Sequence, residues 1–135
     1  MLSIARDSSG EWKAQELWTS KALKSKFSSV VIRDNHAYGL DDGILCCIAL
    51  EDGTRRWKNG RYGFGQLILV NDCLIIQAES GSLAIVKADP HSFLEIDTLK
   101  ALNDRTWNQP VISGRHLLVR NDREAACFEL PVLPR

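Results

Sequence analysis

Three segments of the chain place basic side chains close to aromatic ones, and they are the strongest candidates for a binding site. Ammonium and guanidinium groups pair with anions, and aromatic faces attract cations and offer flat contact surfaces. Such a rim would suit a small anionic or sugar-like ligand, or a protein in the form of an extended peptide. The candidates are Lys24, Lys26 and Phe27 in residues 20–28, Arg61, Tyr62 and Phe64 in residues 58–66, and Arg105, Trp107 and Asn108 in residues 97–109.

The four cysteines form no redox or metal-binding motif. Cys46, Cys47, Cys73 and Cys127 include no C-x-x-C pair and lie in apolar stretches, where a free thiol behaves as a small hydrophobe. Adjacent residues of a strand point to opposite sheet faces, so a disulfide between Cys46 and Cys47 would need a distorted peptide. We therefore predict reduced cysteines, for which a reducing compartment is the simplest setting.

Other reactive residue types occur without a catalytic arrangement. The glycine-rich run at residues 60–65 lacks the Lys-Ser/Thr pair and the following helix of a phosphate-binding loop. The three histidines lie in different parts of the chain, which favours surface positions over a shared metal site. Ser28 and Ser29 have no His and Asp in a recognisable order. The sequence therefore predicts a protein that is not an enzyme and uses no metal or cofactor.

Charge and hydropathy exclude several classes of partner. The chain has 17 Lys and Arg residues against 17 Asp and Glu residues, so it lacks the basic excess of proteins that bind nucleic acid or anionic membranes. No apolar run approaches the roughly 20 residues of a membrane span. The first residues contain no apolar core of a signal peptide. We therefore expect a cytoplasmic protein as the sequence is written, or an extracytoplasmic one if it is a fragment of a longer precursor.

Short apolar segments separated by turn residues predict an all-β fold. Segments such as SSVVI, ILCCIA and QLILV are rich in β-branched residues. Asp34-Asn35, Asn71-Asp72 and Gly114-Arg115 suit tight hairpin turns, because Asn, Asp and Gly tolerate the positive φ that such turns require. We predict twelve strands, near residues 12–18, 29–33, 36–40, 44–49, 54–58, 66–70, 73–78, 82–87, 92–97, 110–113, 116–120 and 124–129.

The strand pattern repeats along the chain. Gly81 follows Gly43 by 38 residues, and Trp57 follows Trp18 by 39 residues. A repeat near 40 residues with four strands in each unit is typical of a β-propeller, in which every unit is one blade. On that fold, the basic and aromatic segments would join successive blades on one face of the propeller. The alternative is that Phe27, Phe64 and Trp107 only fill space between blades.

Residues 38–57, YGLDDGILCCIALEDGTRRW, resemble the repeat of PQQ-like (pyrroloquinoline-quinone-type) β-propellers. The similarity lies in Gly43, Leu45, Leu50, Gly53 and Trp57, and the turn at residues 51–53 is shorter than the usual one. The next block keeps the glycine and leucine but has Ile96 at the position expected for the tryptophan. The chain resembles the C-terminal blades of bacterial PQQ-binding-like propellers, over residues 12–130. That resemblance implies a fold, and it implies no quinone, because the calcium-ligating acids and stacking Trp of the quinone enzymes cannot be located.

The domain organisation predicted from these blocks is a single partial propeller over residues 1–135. Residues 1–10 are expected to be a flexible N-terminus, and residues 12–18 an outer strand without its own blade. Complete blades are predicted at 28–58 and 66–97, and a three-stranded incomplete blade at 110–130. Open strand edges invite pairing, so we expect a homodimer in which the first strand of each chain completes the last blade of its partner.

The function predicted is a non-catalytic module that binds a ligand or a protein through its loop face, or serves as a scaffold. Two alternatives remain open at this point. The chain could be a truncated propeller fragment without retained activity, or a relative of quinone-dependent enzymes. The second alternative is the weaker one, because the residues it needs are missing.

Overall fold

The computed structural model describes residues 1–131, which form thirteen β-strands in four antiparallel sheets and no helix. The strands are β1 (Leu2–Arg6), β2 (Trp12–Glu16), β3 (Val31–Arg33), β4 (His36–Asp41), β5 (Ile44–Ala49), β6 (Arg55–Arg61), β7 (Gln66–Val70), β8 (Cys73–Gln77), β9 (Ser82–Lys87), β10 (Glu95–Lys100), β11 (Val111–Ser113), β12 (His116–Arg120) and β13 (Ala125–Glu129). The all-β class predicted from the sequence is confirmed.

Each sheet is a simple meander in which chain neighbours pair. The hairpin β1-β2 stands alone, β3-β4-β5-β6 and β7-β8-β9-β10 are four-stranded, and β11-β12-β13 is three-stranded. The three predicted hairpin turns are confirmed, since Arg33 pairs with His36, Val70 with Cys73, and Ser113 with His116. In the first turn both residues adopt positive φ, at 46° and 59° for residues 34 and 35, and in the other two turns the first residue does, at 54° for Asn71 and 56° for Gly114.

The last three sheets pack face to face in chain order, with apolar clusters between them. One cluster joins Tyr38, Leu45 and Cys47 of the first four-stranded sheet to Leu74 and Val86 of the second. We call this contact the first seam. The second seam lies between the second four-stranded sheet and β11–β13, where Ile75 and Leu83 meet Leu117 and Val119. A third cluster packs the segment after β2 against Ala37, Cys46 and Ile48.

The contacts of Trp18 and Trp57 show that the repeat in the sequence is also a repeat in the structure. The indole N–H of Trp18 donates to the carbonyl of Leu50 at 2.9 Å, and that of Trp57 donates to the carbonyl of Asp89 at 2.9 Å. Each acceptor lies 32 residues after its donor. Equivalent residues therefore make equivalent contacts with the sheet that follows them.

The N-terminal prediction was wrong. Residues 2–6, expected within a flexible segment, form β1, and β1 pairs along its whole length with β2, from Leu2↔Glu16 to Arg6↔Trp12. The strand predicted at 12–18 ends at Glu16 and has a partner in its own chain. The carboxylate of Asp7 closes the turn by accepting the N–H of Ser9 at 2.9 Å, as Asp52 accepts the N–H of Thr54 at 2.9 Å before β6.

The residue equivalent to Trp57 is Asp97, where the sequence analysis expected Ile96. Trp57 pairs with Cys47 across β5-β6, and Asp97 pairs with Ile85 across β9-β10. The register of β9-β10 shifts between Glu95 and Asp97, so Ile96 lies in a bulge just before Asp97, as Arg56 lies in one just before Trp57. The strand β10 begins at Glu95 and ends at Lys100, three residues later than the predicted span of 92–97.

Cys46 and Cys47 face opposite sides of β5, as predicted. Cys47 belongs to the first seam, while Cys46 packs with the segment that follows β2. Both thiols are fully buried, and burial raises the pKa of Cys47 to about 11. All four cysteines are free thiols. Cys46 and Cys47 are therefore protonated packing residues at neutral pH.

Candidate binding face

The three predicted segments meet through their aromatic side chains. The ring of Phe27 lies between the other two, 6.0 Å from Phe64 and 6.2 Å from Trp107 between ring centroids. The geometry is tilted with Phe64 and edge-on with Trp107, both favourable arrangements for aromatic rings. Phe27 is 58% exposed and Trp107 is 48% exposed. These rings, here called the aromatic cluster, are therefore largely accessible to solvent.

Two cations lie directly on this cluster. The ammonium of Lys26 is 4.3 Å from the centroid of Phe64, and the guanidinium of Arg105 is 5.1 Å from the centroid of Trp107. Lys26 and Lys24 also pair with Asp42, at 3.5 and 2.7 Å, and this hydrogen bond raises the pKa of Lys24. The two lysines are thus partly neutralised by a carboxylate beside them.

An open cleft of about 510 Å³ borders the cluster, and we call it the loop cleft. Three of the predicted residues, Arg61, Tyr62 and Arg105, line it together. Within residues 1–131 neither guanidinium forms an ion pair. The full lining is Arg61, Tyr62, Gly63, Glu79, Ser80, Asp104 and Arg105.

Glu79 is a residue that the sequence analysis missed. Its carboxylate accepts the indole N–H of Trp107 at 2.8 Å and the backbone N–H of Phe64 at 3.2 Å. The hydrogen bond from Trp107 and that from Phe64 lower the pKa of Glu79. Glu79 therefore holds two rings of the aromatic cluster in place as a charged acceptor.

A signal for Glu79 was present in the repeat. Glu79 lies two residues before Gly81, as Asp41 lies two residues before Gly43. Asp41 accepts the backbone N–H of Lys24 at 2.9 Å, in the same way that Glu79 accepts that of Phe64. An acid at this position thus binds the backbone of the loop that precedes the first strand of a sheet, residues 20–28 for Asp41 and residues 58–66 for Glu79.

The glycines of the same turns bring the loops close to the sheets. The carbonyl of Gly43 accepts the N–H of Tyr62 at 2.9 Å, and that of Gly81 accepts the N–H of Leu102 at 2.8 Å. A Cβ at Gly81 would lie 2.3 Å from the carbonyl oxygen of Leu102, so only glycine allows this approach.

Two predicted residues lie apart from the exposed surface. Tyr62 is buried, with 7% exposed, and its hydroxyl donates to the carboxylate of Glu95. Burial, and then this bond, raise the pKa of Tyr62. Asn108 is half-buried and is not among the residues that line the loop cleft. The accessible part of the face is therefore formed by the aromatic cluster with Lys24, Lys26, Arg61 and Arg105.

Neither a metal site nor a membrane span stands out in the part of the chain that the structure describes. Residues 1–131 contain no group of three His, Cys, Asp or Glu side chains positioned to hold a metal ion. They also contain no helix of the length and apolarity needed to cross a membrane.

Comparison with known proteins gives a likeness of fold only. No family model matches the chain, and no curated protein matches it. The structure is similar to that of the computationally designed Ika8 protein, with a TM-score of 0.60 and 10% identity over 75% of this chain. The chain spans 32% of the length of that protein. A second designed protein, Ika4, gives a TM-score of 0.46 at 9% identity, covering 87% of this chain and 99% of its own, which is too low to support an argument.

Proposed function

We propose that the chain is a non-catalytic binding module built from β-propeller blades of the PQQ-like type, and that its ligand is a small anionic sugar-like molecule bound at the loop cleft. The observation that carries the proposal is the meeting of three separate loops in one exposed aromatic cluster. Arg105 stacks on that cluster, and Arg61 lines the cleft beside it.

The blade arrangement is supported by the order in which the sheets pack. Successive meanders stack face to face in chain order, and their first strands β3 and β7 contact each other. The rings of Phe27 and Trp107 meet although both four-stranded sheets separate them along the chain. Such convergence is expected when blades radiate from a common axis.

The charge of the loop cleft favours an anion. Arg61 and Arg105 form no ion pair within residues 1–131, whereas Asp104 is paired with Arg123 at 2.9 Å. The other acid of the lining, Glu79, already accepts the N–H groups of Trp107 and Phe64. A guanidinium can bind a carboxylate through two parallel hydrogen bonds. The neighbouring ring of Trp107 offers a flat apolar surface against which a sugar ring can stack. We therefore infer that the ligand combines a carboxylate with a sugar ring.

A titration of the intact chain with glucuronate and with glucose tests this proposal. We expect glucuronate to bind more tightly than glucose, because only the acid engages the arginines. Arg61→Ala should weaken glucuronate binding about tenfold, which corresponds to roughly 1.4 kcal/mol for a charged hydrogen bond. Trp107→Ala should weaken both sugars, since it removes the stacking surface.

Matched controls separate binding from folding. Arg56→Ala removes an exposed arginine outside the loop cleft, and Trp12→Ala removes a tryptophan that is 66% exposed in β2. Both control variants should bind as the unaltered chain does, and all four should keep its melting temperature within a few degrees. Equal binding of glucose and glucuronate, or equal losses in the controls, would refute the proposal.

We also propose a homodimer in which the N-terminal hairpin of one chain adds to the last sheet of its partner. The sheet β11-β12-β13 has one strand fewer than its two predecessors, and the outer edge of β13 has no pairing strand within residues 1–131. In its own hairpin β2 uses one edge for β1, which leaves its other edge available for exchange. Reciprocal exchange would cover both open edges through a two-fold axis.

Light scattering after size-exclusion chromatography measures this directly. We expect twice the chain mass of 15.1 kDa at micromolar concentration. Replacing Ala14, whose side chain is exposed on β2, by proline should shift the protein to the monomer, because proline cannot donate a strand hydrogen bond. A monomeric intact chain would contradict the dimer and leave the binding proposal to its own test.

A further inference from the structure

An apolar cleft of about 220 Å³ lies in the second seam, and it shares no lining residue with the loop cleft. We call it the seam cleft. Its floor is formed by Ile75, Leu83, Ile85 and Leu117, and its rim by β10 and the end of β13. The rim residues are Asp97, Thr98, Leu99, Phe128, Glu129 and Leu130. All residues of β10 are exposed, so the cleft is open to solvent along that strand.

The repeat explains why this cleft exists. In the first four-stranded sheet, Tyr38 pairs with Cys47, and Cys47 pairs with Trp57, which makes one row across three strands. In the second sheet, the same row consists of Ile75, Ile85 and Asp97. The two largest members of the first row are thus replaced by smaller side chains, and the row of smaller residues is the one that lines the cleft.

In the first four-stranded sheet, the large side chain of Trp57 occupies the position equivalent to the space that is open in the second seam. Its ring lies 6.0 Å from Tyr38 and 5.8 Å from Phe93 between centroids, and its N–H bonds to the carbonyl of Asp89. Through these contacts one indole ring closes the outer part of the first seam. Asp97 has no ring to perform this role in the second seam, so the equivalent space stays open.

The charge at the rim restricts which ligand could fill this space. Two carboxylates, Asp97 and Glu129, lie above an apolar floor. Glu129 is paired with Arg115 at 3.1 Å, while Asp97 accepts only the backbone N–H of Thr98, at 2.8 Å, among residues 1–131. The carboxylate of Asp97 is therefore the charge that a ligand cation would meet.

We propose that the seam cleft binds a small aromatic amine, whose ring takes the place that Trp57 occupies in the first seam and whose ammonium pairs with Asp97. The size is appropriate, since an apolar cavity of roughly 150 Å³ lined by similar side chains binds benzene. A bicyclic aromatic ring therefore suits the seam cleft of about 220 Å³. Indole itself is the ring that the protein uses at the equivalent position.

Isothermal titration of the intact chain with three probes tests the ring and the charge separately. The probes are tryptamine, indole and indole-3-acetate, which share one ring and differ in charge. We expect tryptamine to bind most tightly, indole about tenfold more weakly, and indole-3-acetate most weakly. Asp97→Asn should reduce tryptamine affinity to that of indole while leaving indole unchanged. The control Asp122→Asn, at an exposed acid outside the cleft, should change neither.

A second variant, Asp97→Trp, places an indole side chain in the seam cleft itself. Asp97→Trp restores the residue type of the first seam, so it should abolish indole binding and raise the melting temperature. If Asp97→Trp fails to fold, the Asp97→Asn titration still decides the charge contact.

Four results would overturn the proposal. They are no binding of tryptamine or indole, equal binding of tryptamine and indole-3-acetate, no effect of Asp97→Asn, and binding only after the chain is shortened to end at Pro131. The last would mean that the C-terminal residues 132–135 occupy the cleft in the intact chain.

Discussion

The two four-stranded sheets have the same topology, the same two-residue turn between their first two strands and a matching bulge just before Trp57 and Asp97, yet they differ in how their outer strands pack. In β6, Trp57 and its neighbour Lys58 are half-buried, whereas every residue of β10 is exposed. The backbone therefore does not decide whether a seam is closed. The volume of one side chain, at the position of Trp57 or Asp97, decides it.

The acids at the second-strand turns show a similar contrast. Asp41 is buried, with 1% of its side chain exposed, and it contacts Lys58 at 2.5 Å and Arg55 at 3.4 Å. Glu79, the equivalent residue, is half-buried and accepts hydrogen bonds from neutral donors of the aromatic cluster. Asp41 therefore forms ion pairs with residues of the outer strand of its own sheet, whereas Glu79 fixes the positions of exposed rings in the aromatic cluster.

The largest expected effect is that of Trp57→Ala. Removing the indole should open the first seam and lower the free energy of unfolding by about 3–5 kcal/mol, the range for a large aromatic residue in a core. Urea denaturation followed by circular dichroism measures the change. Ile96→Ala, at a bulge residue that is 53% exposed, is the control and should cost less than about 1 kcal/mol. Similar losses for both variants would show that the ring of Trp57 does not close the first seam.

Asp41→Asn should have the next largest effect. Burial alone would raise the pKa of Asp41, but the hydrogen bonds from Lys58 and the N–H of Lys24 lower it below its usual value. The lowered pKa means that Asp41 contributes stability above the unfolded pKa of about 3.9, and loses it as pH falls through the folded pKa. At pH 7 the variant should lose about 2 kcal/mol, less than a fully buried pair because Lys58 is partly solvated.

The pH dependence provides the check on Asp41. The difference in unfolding free energy between the unaltered chain and Asp41→Asn should be constant from pH 5 to 7 and should shrink below about pH 4. Glu79→Gln, which keeps an acceptor for the ring N–H, should destabilise less at pH 7. A larger loss for Glu79→Gln would reverse the assigned roles of the two acids.

Alanine substitutions at Gly43 and Gly81 test how closely a neighbouring loop approaches each of these turns. Gly43 and Gly81 both have positive φ, at 83° and 84°, so each substitution costs about 1 kcal/mol from the backbone alone. A Cβ at Gly81 would also strike the carbonyl of Leu102 at 2.3 Å, whereas one at Gly43 would lie 3.1 Å from Gly63. Gly81→Ala should therefore lower the melting temperature more than Gly43→Ala, and equal shifts would contradict this geometry.

The smallest effect is expected for Tyr38→Phe. The hydroxyl of Tyr38 is buried in the first seam without a hydrogen-bond partner among residues 1–131, and the equivalent residue of the second sheet, Ile75, has no hydroxyl. Removing an unsatisfied buried hydroxyl should leave stability unchanged or raise it by up to about 1 kcal/mol. A clear loss of stability in thermal denaturation would mean that the hydroxyl has a partner in solution, such as a bound water.

Much of the fold could be predicted because its signals are local. Asp34-Asn35 and Asn71-Asp72 tolerate positive φ and so mark hairpins without any knowledge of the rest of the chain. The apolar residues of β8 and β9 likewise identify buried strands by composition. By contrast, β1 was missed because its strand LSIAR is short and mixed in polarity, and its turn is fixed by the side chain of Asp7.

The sequence by itself determined the all-β class, the repeat and the hairpin turns, since turn chemistry and strand composition act within a few residues. It also identified the three loops whose rings meet. Only the tertiary structure decided which residue stands in for Trp57, because the pairing of β10 with β9 sets the register, and the sequence does not show where that pairing begins. The position of Phe27 between Phe64 and Trp107, and the opening of the seam cleft, likewise depend on contacts between sheets that are distant along the chain.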